Sequence, residues 1–220
     1  MKRRSFLRTA ATASVVASAG CVSAFADGPD DVVLPPQEDQ MGTSEAISYP
    51  AYGQRFPEFT LPNPLTGETV GSRTTDAVTV ATAIYATCPN ECLVLGNQLA
   101  GVQHMLAERG YTDGVRFLAV TFDPERDTAP VLRDYAERMG IDLGAGNWYF
   151  LRPEDATEAE AVVTDELGIG FEREGSTFIH PSVTFLVNPD GYVERAYNGE
   201  RPNRDRVTGD AETVAEEYGV

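Results

Sequence analysis

Between residues 78 and 196 of this 220-residue chain, β-branched apolar runs alternate with stretches that repeat apolar side chains every three or four positions. No other feature constrains the fold as much. Strands separated by helices must cross over and lie side by side in one sheet. Val78–Ile84 (VTVATAI) predicts a buried strand, followed by a helix from about 91 to 109. Leu95, Leu99, Val102 and Leu106 share one face of that helix, and Gly110 stops it. Val115–Thr121 predicts the next strand, and residues 129–139 a second helix opened by Asp127-Thr128 and closed by Gly140. Residues 147–151 read as a short strand and 156–167 as a third helix. Val183–Val187 is strand again, and the turn Asn188-Pro189-Asp190-Gly191 leads into a last strand over 192–196.

Ending such a series on a hairpin makes the sheet mixed. The expected class is α/β, with a central mixed sheet flanked by helices, as in a thioredoxin-like fold. The folded domain is expected over 56–200, a length ample for one core. No internal repeat is visible. Residues 201–220 read as a polar tail in which 210–218 form at most one loose helix. Residues 27–55 hold Pro29, Pro35, Pro36, Pro50 and six acidic residues with few consecutive apolar ones. Such a stretch predicts a disordered acidic linker, because it offers little surface to bury against its ordering entropy.

The first twenty residues carry four positive charges and no acid, then a short run of small and apolar residues. This pattern predicts an export signal over 1–20, too short to span a bilayer permanently. The arginines before Phe6-Leu7 resemble a twin-arginine signal. Ser18-Ala19-Gly20-Cys21 resembles a lipobox, which would leave Cys21 as a lipidated N-terminus on the outer face of the cell membrane. The alternative is ordinary cleavage after Ala24 or Ala26. Seventeen basic residues oppose thirty-four acidic ones, and removing residues 1–20 takes the formal net charge from −17 to −21. Lys2 is the only lysine. An acidic, lysine-poor surface repels itself at low ionic strength and is screened in concentrated salt, so the composition points to a halophile, an archaeal one. It argues against nucleic-acid binding, which needs a basic patch.

The chemistry centres on Cys88-Pro89-Asn90-Glu91-Cys92, placed between the strand ending at Ile84 and the first helix. Thiolates at a helix N-terminus are stabilised by unpaired N–H groups, which predicts a reactive pair. The three-residue spacer puts both sulfurs on one side of the first turn, where they can close a disulfide or hold one metal ion. A purely structural disulfide of this span would close a tiny loop and stabilise little. There are two histidines. His104 falls on the solvent side of the first helix. His180 precedes the strand Val183–Val187, which in a thioredoxin-like sheet runs beside the strand leading to the cysteines. Pro181 holds His180 towards extended backbone.

Several stretches in register resemble the Sco/SenC family of copper-binding assembly proteins. Phe56-Pro57-Glu58-Phe59-Thr60-Leu61 with Thr66-Gly67 is similar to its opening strand and turn. Ile84 through Cys92 resembles its cysteine signature, and Phe122-Asp123-Pro124-Glu125-Arg126-Asp127-Thr128 its motif after the next strand. His180, with Phe185-Leu186-Val187 and Pro189-Asp190-Gly191, stands where that family has its histidine. The chain departs from the pattern at Leu93, where a proline is usual, and at Pro181, where a small hydroxyl residue is commoner. The resemblance implies one copper ion held by Cys88, Cys92 and His180. Two thiolates select Cu(I), and an added imidazole admits Cu(II). Zinc competes on ligand type, although three ligands on an exposed rim do not make a closed structural zinc site. Asp123 is implied as a supporting residue beside the metal ligands, or as the residue that fixes its own turn.

The implied function is a copper chaperone for the dinuclear copper centre of a haem-copper oxidase, with the copper-bearing subunit and an external thiol reductant as partners. The competing function is a membrane-anchored thiol–disulfide oxidoreductase, which needs Cys88 and Cys92 but has no obvious use for His180. The proline-threonine-cysteine arrangement of a peroxiredoxin-like peroxidase is absent around Cys88.

Overall fold

The computed structural model describes residues 29–88 and 91–220. The export signal expected over 1–20 and Cys21, the expected lipid attachment site, lie outside them.

Two short strands open the domain, β1 (Thr60–Pro62) and β2 (Thr69–Gly71), paired antiparallel around the turn at Thr66-Gly67. They are the N-terminal extension to the main sheet. All seven residues of β3 (Val78–Ile84) are buried, as a central strand of a sheet covered on both faces requires. The first helix, α1 (Glu91–Glu108), leads to β4 (Val115–Thr121), and α2 (Ala129–Met139) leads to β5 (Trp148–Leu151). Gly110 and Gly140 take positive φ after the two helices, which ends each where the sequence predicts. α2 starts behind Thr128, whose side chain makes no capping bond.

A third helix, α3 (Ala156–Glu160), runs into a wider π-helical stretch, Ala161–Glu166, that buries Val162 and Val163. The hairpin of β6 (Glu172–Glu174) and β7 (Thr177–Ile179) follows, then β8 (Val183–Val187) and β9 (Val193–Asn198). The main sheet has the order β5-β4-β3-β8-β9. β3, β4 and β5 are parallel, while β8 runs antiparallel to both β3 and β9. The expected mixed sheet is therefore present. Its order places the start of β8 beside the end of β3, so residues before Val183 meet residues after Ile84.

Two expectations about the flanks are corrected. Described residues 29–55 are not a disordered linker. They wrap the β9 side of the sheet, burying Leu34, Tyr49 and Ala51. The buried Glu194 carboxylate accepts from the backbone N–H groups of Val33 and Leu34 at 2.9–3.0 Å. The Gln37 side chain exchanges two hydrogen bonds with the backbone of Ala196. A few well-placed apolar side chains and one buried acceptor hold this segment, although its composition looks like that of a linker. The polar tail is likewise a packed helix, α4 (Arg204–Tyr218), capped by Asn203 and lying against α1. Its charges flank a buried stripe of Val207, Ala211, Val214 and Ala215. That spacing of four, three and one residues is an amphipathic helix.

Candidate metal centre

The segment after β3 is fixed from three directions. The Asp127 carboxylate accepts from the Ala86 N–H at 2.9 Å and from the Thr121 hydroxyl. Arg138 reaches the Ala86 carbonyl at 3.4 Å, and the Tyr135 hydroxyl donates to the Cys92 carbonyl at 2.6 Å. Asp127 was expected as a helix opener. It faces inward instead, fully buried, and its second carboxylate oxygen has no partner among the described residues. Burial pushes its carboxyl from an ordinary 3.8 up to about 6, against the opposing pull of its bonds to Thr121 and Ala86.

Cys88 and Cys92 are both buried, and no disulfide joins them. The backbone N–H of Cys92 points at the Cys88 sulfur, 3.4 Å away, as the first turn of a helix predicts. The expectation of two readily ionised thiols is corrected for Cys92. Its thiol is pushed well above the ordinary range, first by its hydrogen bond to Cys88 and then by burial. The two sulfurs share a proton, so the second ionisation is costly until a cation replaces it.

His180 stands at the end of the hairpin, half-buried, with its ring edge-on to Phe122 at 4.8 Å and to Tyr85 at 6.0 Å. Its Nδ1 is 3.1 Å from the Pro181 carbonyl. A carbonyl only accepts, so Nδ1 carries the proton and Nε2 keeps a lone pair. Nε2 lies 3.9 Å from the Cys92 sulfur. The backbone restraint at Pro181 therefore also sets the tautomer. Among the described residues, no three His, Cys, Asp or Glu side chains close into a finished ligand set. The contacts are pairwise, Cys88 with Cys92 and Cys92 with His180. An ion bound at about 2.3 Å to sulfur and about 2.0 Å to nitrogen bridges a 3.9 Å gap with a bent angle, so the donor set fits a soft metal. Open grooves reach the site on two sides, one past Cys88 and Val131 and one past Ile179 and His180.

Asp123 is not in contact with this group. Its buried carboxylate is taken up by Arg126 and Arg173, and Arg126 also donates to the Ser176 carbonyl at 2.8 Å. These bonds tie Asp123 to the β6–β7 hairpin that leads to His180. His104 is exposed, as expected, with Nε2 2.8 Å from the Gly140 carbonyl. Sequence reasoning missed Asp127, Tyr85 and Tyr135 as residues of the site. The only signal for Tyr85 and Asp127 was their position in the motifs around the cysteines and after β4, and Tyr135, inside α2, carried none. No helix among the described residues is long and apolar enough to cross a membrane.

Comparison with known proteins shows the family and the fold. The chain is 28% identical over 141 residues to the SCO1 protein homolog of Bacillus subtilis (strain 168), covering 63% of this chain and 71% of that one. It is 32% identical over 133 residues to Protein SenC of Rhodobacter capsulatus, covering 59% of this chain and about half, 55%, of that one. Among solved structures, BsSco, a member of the Sco family of cytochrome c oxidase assembly proteins, superposes with a TM-score of 0.64 at 24% identity, over 76% of this chain and 97% of that chain. A SCO1/SenC family lipoprotein from Bacillus anthracis str. Ames gives 0.65 at 20% identity, over 74% and 96%. Copper-bound ScoI of Bradyrhizobium japonicum gives 0.60 at 20%, over 73% and 99%. These likenesses establish the α/β, thioredoxin-like fold. The SCO1/SenC family profile matches residues 53–216, and the chain belongs to that family.

Proposed function

We propose that this protein is a copper chaperone that binds one copper ion through Cys88, Cys92 and His180 and supplies the dinuclear copper centre of a haem-copper oxidase. The observation that carries the reading is the His180 imidazole, held with its unprotonated Nε2 towards the Cys92 sulfur. A plain dithiol has no need of it. Binding Cu(I) would replace the protons of both thiols, one of them the shared proton that makes ionisation of Cys92 costly. His180 would add a third ligand on the exposed side, and a three-coordinate ion leaves a position for the acceptor's ligand. Relatives with copper bound and a relative named as an oxidase assembly protein support this function. The lipid anchor at Cys21, tethering to the outer membrane face and a haloarchaeal source belong to the same reading. They rest on the N-terminal pattern and on the acidic, lysine-poor composition. The thiols would need an external reductant after each oxidation.

The second reading, a thiol–disulfide oxidoreductase acting on client cysteines, is favoured by one observation. The two thiols are hydrogen-bonded to each other, the neighbourhood a disulfide needs. The experiment that separates the two mixes copper-loaded protein with the reduced, metal-free copper domain of an oxidase subunit. Chaperone action moves copper to the acceptor. Copper that stays put, with reduction of an oxidised acceptor by the metal-free dithiol, would instead support the oxidoreductase.

A further inference from the structure

Tyr85 is buried, and its hydroxyl meets two groups of opposite kind. The Phe178 backbone N–H donates to it at 3.4 Å, and it is hydrogen-bonded to the Cys88 thiol. With a lone pair engaged by Phe178, the phenolic proton is left for sulfur. The ring is locked at 5.1 Å from Phe178, 5.3 Å from Phe122 and 6.0 Å from His180, so the hydroxyl cannot turn away. None of these ring contacts requires an oxygen. A phenylalanine would fill the same space without the cost of burying a hydroxyl.

We propose that Tyr85 is a positioning residue of the thiol site, whose O–H donates to the Cys88 sulfur and favours the reduced, metal-ready pair over the disulfide. In the reaction it biases, two S–H bonds break and one S–S bond forms. The S–S bond of a partner disulfide such as oxidised glutathione breaks in exchange. Its two sulfurs take up the two electrons and, through solvent, the two protons to become two thiols. A disulfide sulfur is a weaker acceptor than a thiol or thiolate, so the bond is worth most in the reduced state. The inference deepens the copper reading and rests on it only for the spectroscopic part of its test.

The test compares wild type with Tyr85→Phe, which keeps the ring. In glutathione buffers, the metal-free variant is expected to shift towards the disulfide by roughly fivefold, the worth of one ordinary hydrogen bond. In the Cu(II) form, the sulfur-to-copper absorption is expected at longer wavelength, because the sulfur loses a donor. Identical glutathione equilibria and identical spectra would overturn the proposal and leave the copper reading standing. A glutathione shift with no copper bound by wild type would uphold Tyr85 and sink the copper reading. Should the variant melt early, ring-fluorinated tyrosine placed at position 85, a stronger donor, must move the equilibrium the other way, towards the dithiol. A move towards the disulfide, or none, would overturn the proposal.

Discussion

The unprotonated Nε2 of His180 lies 3.9 Å from the sulfur of Cys92, although 88 residues separate them. The sheet order creates this meeting, because β8 pairs antiparallel with β3 and the hairpin before β8 arrives beside the loop after β3. The hairpin is anchored by Asp123, whose carboxylate binds Arg126 and Arg173 together.

Replacing Asp123 by Ala should therefore loosen the hairpin more than the domain. Amide hydrogen exchange over 172–180 is expected to speed up at least tenfold, with exchange in β3 and β4 unchanged relative to global stability. Equal acceleration everywhere would place Asp123 in the general core instead.

The raised carboxyl of Asp127 predicts a pH dependence. Its folded-state value of about 6 exceeds the ordinary 3.8, so its contribution to stability is fully present below about pH 4. That contribution is lost as pH rises through about 6. Its size is at most about 3 kcal/mol. Urea denaturation of the reduced, metal-free protein between pH 4 and 7 should show this slope, and Asp127→Asn should flatten it. A variant that keeps the wild-type slope would mean that Asp127 is not its source.

Gly96 permits the close approach of α1 and α2. A β-carbon there would lie 2.9 Å from the Met139 side chain and closer still to the Tyr135 hydroxyl, which is bonded to the Cys92 carbonyl. Gly96→Ala should cost about 2–3 kcal/mol in chemical denaturation, despite alanine's higher helix propensity. A stabilised variant would show that the two helices can part without loss.

The N-terminal wrap depends on Glu194. Glu194→Ala removes the acceptor of the Val33 and Leu34 N–H groups and of the Asn188 side chain. It should cost about 2–4 kcal/mol and open residues 29–55 to proteolysis. Protection from protease equal to wild type would mean that the apolar contacts of Leu34 and Tyr49 hold the segment unaided.

The sheet was legible because its strands announce themselves. VTVATAI and VRFLAVT leave no room for helical spacing, and β3, β4, α2 and β8 begin and end where the residues predict. The thiols were legible from their place between a strand and a helix. Long-range polar bonds in unpromising sequence were not. The segment before Phe56 looks disordered until Glu194, some 160 positions away, takes its N–H groups. The last helix hides its apolar stripe among acids. The hairpin Glu172–Ile179 gave no strand signal, because β6 is exposed and wholly charged and β7 is only three residues long. Asp127 reads as a cap, yet its partner Ala86 lies 41 residues back.

The central claim is that Cys88, Cys92 and His180 form one copper site, and a metal titration tests it most directly. The reduced protein, in concentrated salt, is titrated with Cu(I) and with Cu(II) beside His180→Ala. The account predicts one copper per chain in either state and a thiolate-to-copper absorption band in the Cu(II) form. In His180→Ala the band should weaken while Cu(I) is retained by the two sulfurs. Wild-type protein that holds neither ion, or a variant whose Cu(II) spectrum matches wild type, would contradict it.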